Sequence, residues 1–463
     1  MTCRFFFNEG ISIALDKTKA SAALTLHYVH GLVNTGNSCF LNSVLQALSA
    51  LSVLPPYLES ILNRSDELQL PEDDIQVTEA LLDTMEALQQ PLASHKSFRP
   101  RAIVSALEES RARDPNASGY RSSIMNREQQ DAQELFQMIS SALSSEEATI
   151  QKLQATRPLL GLDFIKKLLV LAQKPNEHQI KKLDSNPMIG MLASRLSCMQ
   201  CGYTEAIRHF TFDNLSLSLP SNHSCTIEDC LKQYINLESL HDVVCRKCSL
   251  QATLARICSD LKQLDNHQPL RHSIAQRMAL KSKLAQQRKV LESAIRSDVE
   301  RPLQDIKLSK VVSRHCTKQV MMAKSPRVLC LHFIRSQYSN YGTVSKNSCQ
   351  VNFPEYLDIS PFCTTGVLLT QPNFPMSISE QDLERLGLPG TLYRLQSIVV
   401  HYGGHSYGHF IAYRRKPESI TEDWFRVSDE TVESVTLDHV LRSNPYMCLY
   451  ERVETADEKL SKN

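Results

Sequence analysis

The sequence has almost no surplus of charge of either sign and few aromatic residues. Its 463 residues include 51 Lys and Arg against 50 Asp and Glu, a formal net charge of +1. This balance provides no overall field that would attract nucleic acid or an anionic membrane. Aromatic residues make up 6% of the chain, with a single Trp, and none lies among the basic residues of 271–300. We therefore expect no nucleic-acid partner.

Long apolar runs are absent as well. No stretch approaches the roughly 20 apolar residues that a membrane-spanning helix needs, so we predict no membrane span in this sequence. The most apolar N-terminal segment, 21–33, is short, follows charged residues and lacks a cleavage-site pattern, so we expect no signal peptide. At 42% hydrophobic residues, the composition is that of an ordinary globular chain with a sizeable core.

The pattern of apolar residues predicts an α+β chain. Apolar residues recur at three- and four-residue steps through much of 40–171, which is typical of helices. Apolar and polar residues alternate in 210–219, which is typical of strands, and the chain after Pro326 is rich in strand-forming segments to its end. Residues 252–300 return to a helical pattern that is polar and basic. We interpret them as a solvated helical hairpin inserted in a β-rich region.

Four of the fourteen cysteines form two C-x-x-C pairs. Cys198 with Cys201, and Cys245 with Cys248, offer two thiolates each at the spacing of a tetrahedral zinc knuckle. Four thiolates leave no open coordination position, so the sequence predicts a structural Zn²⁺, no organic cofactor and a reducing compartment. A redox role is less favoured, because we expect neither pair at a strand-to-helix turn. Four idle thiols, or a site that has lost its metal, would also account for the pattern.

Cys39 lies where a Gly- and Asn-rich loop, 31–38, runs into a predicted helix. Unpaired N–H groups and the positive end of the dipole at a helix start lower the pKa of a thiol, which suits a nucleophile. The same N–H groups, with the side-chain amide of Asn34, could donate to an oxyanion, while Asn37 and Ser38 suit the N-cap. The alternative is a buried structural cysteine, and these features alone leave the two interpretations evenly balanced.

A general base for such a thiol is found near the other end of the chain. His409 follows a Gly-rich loop and opens a predicted strand, where its imidazole would be held rigidly. The competing histidines are His401, in mid-strand, and His405, in the loop. Ser428 and Asp429 end a later strand, and one of them should orient the imidazole. Asp429 would add a charge, whereas Ser428 would add only a neutral acceptor.

Five ordered segments of the chain resemble the ubiquitin-specific proteases. Residues 31–43 (GLVNTGNSCFLNS) are similar to the cysteine box of that family, and 408–413 with 424–429 are similar to its histidine box. The other three similar segments are 129–135 (QQDAQEL), 351–358 (VNFPEYLD) and 446–450 (YMCLY). The resemblance extends from about Gly31 to Arg452, and the order of five motifs makes it specific.

This resemblance implies a papain-like cysteine protease fold with thumb, palm and fingers subdomains. It implies a deubiquitinase that hydrolyses the (iso)peptide bond at the C-terminal Gly of ubiquitin, with ubiquitin and ubiquitinated proteins as partners; we expect a monomer. Cys39 would be the nucleophile, His409 the base and Asn34 the oxyanion donor. The residues implied in binding the basic tail of ubiquitin are Gln129, Asp131, Glu134, Gly403, Gly404 and Gly408.

The third triad position departs from the family pattern, because Ser428 stands where most members have Asp or Asn. Serine there, with its flanking residues, resembles the mitochondrial outer-membrane member of the family, whose anchor has no counterpart in this sequence. The resemblance implies the cytosolic face of that membrane, and a role in deubiquitinating its proteins and restraining mitophagy; otherwise the protein would be cytoplasmic. The alternative function is a catalytically weak ubiquitin-binding scaffold of the same fold, which only Ser428 favours.

The resemblance also implies how the chain is divided. An N-terminal arm and a C-terminal tail flank one catalytic domain, and the predicted bounds of arm, domain and tail are 1–27, 28–452 and 453–463. The helical insertion of 252–300 belongs to the zinc-binding fingers. The predicted bounds of thumb, fingers and palm are about 28–190, 191–325 and 326–452.

Overall fold

A computed structural model describes nine parts of the chain. They are 28–113, 131–156, 185–265, 274–338, 342–365, 368–377, 391–404, 407–416 and 424–453. Within them the α+β prediction is confirmed, because a helical half precedes a β-rich half. In these ranges no helix is both long and apolar enough to cross a bilayer. The predicted arm lies outside the described residues, as does the predicted tail beyond Val453.

The helices of the first half surround one buried helix. The helices of this half are α1 (Cys39–Leu48), α2 (Leu54–Leu68), α3 (Gln76–Gln89), α4 (Arg101–Arg113) and α5 (Ala132–Thr156). All ten residues of α1 are buried, because α3 and α5 cover one side of it and the large sheet covers the other. The amide groups of its polar side chains donate hydrogen bonds inside the protein, Asn42 to Leu32 O and Gln46 to His30 O. The side-chain oxygens of both residues accept no hydrogen bond from the described residues.

Strands dominate the rest of the described chain. In chain order they are β1 (Gly31–Leu32), β2 (Ser97–Phe98), β3 (Gly190–Cys198), β4 (Arg208–Phe212), β5 (Leu215–Ser218), β6 (Ser224–Thr226), β7 (Glu238–Leu240), β8 (Val243–Val244), β9 (Val312–Ser313), β10 (Cys316–Lys324), β11 (Val328–Ile334), β12 (Ser336–Tyr338), β13 (Val344–Lys346), β14 (Gln350–Asn352), β15 (Tyr356–Asp358), β16 (Leu392–Gly403), β17 (Gly408–Arg415), β18 (Trp424–Ser428), β19 (Thr431–Val435) and β20 (Met447–Arg452). The remaining helices are α6 (Ile227–Tyr234), α7 (Arg246–Asp265), α8 (Ile274–Ser297) and α9 (Leu437–Leu441).

The large sheet carries the predicted histidine box. Its strand order is β19-β18-β17-β16-β20-β11-β5, with β15 paired to β16. All neighbours are antiparallel except β11 and β5. Six of the seven residues in β11 are buried, as expected for a strand covered on both faces. β16 and β17 form a hairpin in which Tyr402 lies opposite His409.

A smaller sheet and a helical hairpin are formed by residues that follow the first five helices and precede β11 in the sequence. The sheet has the order β4-β3-β10-β7, and Cys198 at the end of β3 lies opposite Cys316 in β10. α7 and α8 pack together through a small apolar cluster that includes Ile257 and Leu291. α7 begins at Arg246, six residues before the predicted start, because the second C-x-x-C pair itself forms the first helical turn.

Candidate active site

Cys39 is placed by the packing of α1 against the large sheet. It is the first residue of α1 and is only 5% exposed. α1 packs against β17, and the backbone N–H of Phe410, the residue after His409, is near enough to the thiol to lower its pKa. The start of the buried helix and the start of β17 therefore meet at this thiol. Ser38 is the N-cap, but its hydroxyl makes no capping bond and instead accepts the Thr35 N–H at 3.0 Å.

The pKa of the Cys39 thiol is raised above its ordinary value. Burial is the largest cause; backbone N–H groups of Phe410 and α1 act in the opposite direction, and the charge of Asp429 raises the pKa further. The expectation of a lowered pKa at a helix start is therefore wrong for this geometry, because desolvation outweighs the N–H groups. A thiolate here needs a positively charged partner, such as a protonated imidazole.

His409 faces both residues that were predicted to orient it. Its Nε2 lies 2.9 Å from Ser428 Oγ and 3.7 Å from Asp429 Oδ2. Ser428 ends β18, the neighbour of β17, so the sheet itself fixes this contact. The His409 side chain is 40% exposed, which leaves the imidazole accessible to a substrate.

Asp429 is held by two side-chain amides. The Asn42 amide donates to its Oδ1 at 2.8 Å, and the Asn34 amide donates to its Oδ2 at 2.9 Å. Its backbone has a φ of 49° in the turn between β18 and β19, and its carbonyl accepts the Leu32 N–H. Asn42 was not among the predicted site residues. Its position three residues after Cys39 on one helix face is the sequence signal that could have identified it.

Asn34, the predicted oxyanion donor, is engaged with the loop before Cys39 and with Asp429. Its Nδ2 donates to Asp429, and its side-chain oxygen accepts the Gly36 N–H at 3.1 Å and the Ser38 hydroxyl at 3.2 Å. These bonds fix the turn before Cys39. To donate to an oxyanion, the Asn34 amide would share or exchange its bond to Asp429.

The competing histidines are only partly described. The His401 ring lies 4.4 Å from that of Phe410, and its Nδ1 is 3.2 Å from Lys346 Nζ. Lys346 Nζ also donates to the carbonyl oxygens of His401 and Gly403. His401 is thus engaged in the packing of the hairpin. His405 lies outside the described residues.

The acidic residues predicted to bind the ubiquitin tail differ in their surroundings. Asp131 precedes α5, where its carboxylate accepts the Gln133 N–H at 2.8 Å and the Tyr446 hydroxyl at 2.6 Å. Glu134, in the first turn of α5, is exposed. Gln129 lies outside the described residues. Asp131 therefore has a structural role in joining α5 to β20, whereas Glu134 is open to a ligand.

The three predicted tail-binding glycines shape the turn of the β16–β17 hairpin. Gly403 has a φ of 106°, which side chains rarely adopt. A Cβ at Gly408 would lie 2.1 Å from Tyr402 O, and a Cβ at Gly404 would lie 2.9 Å from the Tyr407 ring. Close backbone approach in the hairpin thus explains Gly403 and Gly408 without a ligand.

The two C-x-x-C pairs meet at one point. The sulfur atoms of Cys198, Cys201, Cys245 and Cys248 all lie within 4.8 Å of one another. Sγ of Cys198 is 3.9 Å from that of Cys248, and Sγ of Cys201 is 3.6 Å from that of Cys245. Tetrahedral bonds of about 2.3 Å to zinc would separate the sulfurs by roughly 3.8 Å. The cluster therefore fits a four-coordinate metal ion.

Details of the cluster correct and extend the sequence analysis. The second pair does lie at a strand-to-helix turn, because Cys245 follows β8 and immediately precedes α7; the expectation that neither pair would do so is wrong. The buried Ser313 hydroxyl lies 3.3 Å from Cys198 Sγ. Burial and neighbouring thiols raise the pKa of Cys248 to about 11, whereas at Cys198 burial is outweighed by hydrogen bonds from Ser313 and backbone N–H groups, which lower its pKa to about 6. Without a cation these thiols would therefore not all ionise at neutral pH.

Comparisons with known proteins identify the family. A sequence profile described as "Ubiquitin carboxyl-terminal hydrolase" matches residues 30–450. The chain belongs to this family, and it is a cysteine-protease deubiquitinase.

Individual relatives and structures agree with this. The chain is 27% identical to ubiquitin carboxyl-terminal hydrolase 30 of Homo sapiens, covering 92% of this chain and 84% of that protein. It is 26% identical to ubiquitin carboxyl-terminal hydrolase 27 of Arabidopsis thaliana, and the match covers 92% of this chain and 85% of that protein. It shares its fold with the chain matched in the SAGA Ubp8/Sgf11/Sus1/Sgf73 DUB module bound to ubiquitin aldehyde, with a TM-score of 0.53 and 19% sequence identity. The match covers 95% of this chain and 72% of the other chain. The predicted papain-like fold is thereby confirmed.

Proposed function

We propose that the protein hydrolyses the (iso)peptide bond at the C-terminal Gly of ubiquitin with Cys39 as nucleophile and His409 as general base. The observation that carries this proposal is the meeting of the start of α1 with the start of β17, beside an imidazole that contacts Ser428. Ubiquitin and ubiquitinated proteins are the proposed partners, and the protein acts as a monomer. The structural match to a module bound to ubiquitin aldehyde supports ubiquitin as the ligand.

In the proposed reaction, the imidazole of His409 takes the Cys39 proton, which forms a thiolate–imidazolium pair. The sulfur attacks the carbonyl carbon of the last ubiquitin residue, and an oxyanion forms on the carbonyl oxygen. The C–N bond then breaks as the imidazolium gives its proton to the departing lysine amine. His409 next takes a proton from water, whose oxygen attacks the thioester and releases ubiquitin and Cys39.

The oxyanion would be stabilised by the Cys39 backbone N–H and the Asn34 amide. In the free enzyme the Asn34 amide donates a hydrogen bond to the Asp429 carboxylate. The carboxylate thereby orients Asn34 in the free enzyme, and the amide turns toward the oxyanion as the negative charge develops there.

We propose Ser428 as the residue that orients His409, with Asp429 as the alternative. Ser428 makes the direct contact of 2.9 Å, whereas the nearest Asp429 oxygen is 3.7 Å from Nε2. The Asp429 carboxylate is already shared between two amides. A neutral acceptor therefore holds the imidazole, and a charged group lies behind it.

The ubiquitin tail is proposed to lie between α5 and the β16–β17 hairpin. Gln129, Asp131 and Glu134 would bind it from the first side. Gly403, Gly404 and Gly408 would allow close backbone approach from the second. The exposed carboxylate of Glu134 is the most available partner for an arginine of the tail.

We propose that Cys198, Cys201, Cys245 and Cys248 bind a structural Zn²⁺, on the strength of their sulfur separations. A bound Zn²⁺ would join the end of β3 to the start of α7, and it has no part in the chemistry at Cys39. The predicted bounds of thumb, fingers and palm remain part of this proposal. β5, within the predicted fingers, pairs with β11 of the predicted palm.

The biological role is proposed on resemblance. Similarity to ubiquitin carboxyl-terminal hydrolase 30 over 92% of the chain, with Ser428 at the third position, supports action on mitochondrial outer-membrane proteins and restraint of mitophagy. Fluorescence microscopy of the tagged protein with a mitochondrial marker tests this location. A diffuse cytoplasmic signal would contradict it.

The catalytic assignment is tested with a ubiquitin that carries an electrophile at its C-terminus. The wild-type protein should form one covalent adduct of the combined mass, and peptide mapping should locate it at Cys39. Cys39→Ala should form none, while Cys258→Ala, which alters another thiol, should react normally. Absence of an adduct in the wild type would favour the alternative, a ubiquitin-binding scaffold with weak or no catalysis.

A further inference from the structure

A cavity of about 290 Å³ lies beside the loop that precedes Cys39. One wall consists of this loop and the first turn of α1, including Thr35 and Ser38. The facing wall is the start of α4 with the two residues before it, including Arg99 and Arg101. The cavity is thus adjacent to the predicted nucleophile, yet it belongs to none of the elements proposed to bind the ubiquitin tail.

The inner surface of the cavity is largely apolar. Val33, Leu41, Pro100 and Val104 all line it. Leu41 and Pro100 are buried, whereas Val33 and Val104 are half-buried. An apolar recess of this size accommodates about one or two side chains of a peptide and excludes water from them.

The charged residues of the cavity give it a positive surplus. Arg99 and Arg101 are both exposed, and Glu108 is half-buried. Two guanidinium groups against one carboxylate leave a net charge of +1 on the lining. Guanidinium groups bind carboxylates with paired hydrogen bonds, so the complementary ligand combines an apolar side chain with neighbouring acidic ones.

The position of the cavity indicates which part of a substrate reaches it. A substrate polypeptide extends from Cys39 in two directions, with ubiquitin on one side of the cleaved bond and the target protein on the other. The proposed ubiquitin path uses α5 and the β16–β17 hairpin, and no described residue of these elements lines the cavity. The loop 34–38 and the cavity can therefore contact the target protein on the other side of the cleaved bond.

We infer that this cavity binds the target polypeptide beside the modified lysine and favours acidic residues there. Carboxylates of the target contact Arg99 and Arg101, and an apolar side chain enters between Leu41 and Val104. The inference depends on the proposed role of Cys39 as nucleophile. It makes Arg99 and Arg101 specificity residues for the leaving side of the substrate.

The test compares two conjugates in which ubiquitin is linked to the lysine side chain of a short fluorescent peptide. In one peptide two Glu flank the lysine on each side, and in the other these positions are Gln. The full-length wild-type protein should cleave the acidic conjugate with a kcat/KM about fivefold higher, which equals about 1 kcal/mol. Two exposed ion pairs are sufficient for a preference of this size. Raising the salt concentration should reduce the preference, because the contacts are exposed.

Variants assign the preference to the cavity. In Arg99→Gln/Arg101→Gln the ratio of the two kcat/KM values should fall to about one. Arg296→Gln, which removes an equally exposed arginine from α8, should keep the fivefold ratio. A preference that survives the double substitution would overturn the inference, as would equal rates in the wild type. A ratio that varies with protein concentration would assign the cavity to a second copy of the chain and would also overturn it.

A third substrate separates failure of this inference from failure of the proposed function. Ubiquitin with a C-terminal aminocoumarin amide has no target polypeptide. If the wild type hydrolyses this amide but shows equal rates for both peptide conjugates, only the leaving-side assignment is wrong. If the wild type hydrolyses none of the three substrates, the catalytic assignment itself is wrong.

Discussion

Ser428→Ala is the substitution that tests the neutral third member of the catalytic group most directly. The Ser428 hydroxyl lies 2.9 Å from Nε2 of His409, whose side chain is 40% exposed. A hydrogen bond to a charged group contributes about 1.5–3 kcal/mol, and partial exposure favours the lower end. We therefore expect kcat to fall about tenfold, with little change in KM. Hydrolysis of the ubiquitin aminocoumarin amide measures both constants.

Asp429→Asn provides the comparison. A unit charge 3.7 Å from the imidazolium contributes about 1 kcal/mol in a water-like medium, so we expect a loss of about fivefold. Asn also tolerates the left-handed backbone found at this position, so the turn should persist. Ser434→Ala, in the neighbouring strand β19, should leave kcat unchanged.

The two substitutions together can refute the assignment. If Ser428→Ala were within twofold of the wild type while Asp429→Asn lost more than about a hundredfold, Asp429 would be the residue that stabilises the imidazolium. Thermal unfolding should show the same midpoint for Ser428→Ala and the wild type. A lowered midpoint would mean that the loss of activity reflects folding.

Further predictions concern the cysteine cluster, a buried histidine and the hairpin. Cys248→Ser should lower bound zinc from one ion per chain to less than half, measured by a chromogenic chelator, with a lower unfolding midpoint. Burial lowers the pKa of His332 to about 4. Between about pH 6.5 and 4 this histidine is therefore protonated in the unfolded state but neutral in the folded state. The free energy of unfolding should decrease by up to roughly 3 kcal/mol as the pH is lowered through this range. His332→Gln should remove most of that part of the slope in urea unfolding. Gly408→Ala should destabilise the protein by about 3 kcal/mol and abolish activity, because its Cβ would meet the Tyr402 carbonyl.

Matched controls accompany these three predictions. The Cys258→Ser variant should retain one zinc ion per chain. Loss of zinc from this variant would contradict the assignment of the four cysteines as its ligands. His223→Gln changes an exposed histidine, and an equal change of slope in both histidine variants would show that burial is not the cause. The atoms nearest to the Cβ of Gly404→Ala belong to the exposed Tyr407 ring, which can move aside. If this variant were as damaging as Gly408→Ala, backbone contact would not explain the effect.

The sequence by itself determined the features that depend on local chemistry. A Gly- and Asn-rich loop before an apolar helix predicted the setting of Cys39, because residue types near in sequence decide turns and helix starts. Two C-x-x-C pairs predicted a metal cluster for the same reason, since each pair provides half of a tetrahedron. The alternation of apolar residues in 210–219 predicted β5, and the strand-forming segments after Pro326 predicted β11.

Only the tertiary structure decided the contacts between distant parts of the chain. The bond from Asn42 to Asp429 joins residues separated by 387 positions, and no local pattern specifies such a pair. The raised pKa of Cys39 depends on desolvation by the packed sheet, which overrides the local effect of the helix start. The distances from His409 to Ser428 and Asp429 likewise follow from the pairing of β17 with β18. Local sequence sets the chemical groups, and long-range packing sets their distances and their exposure to water.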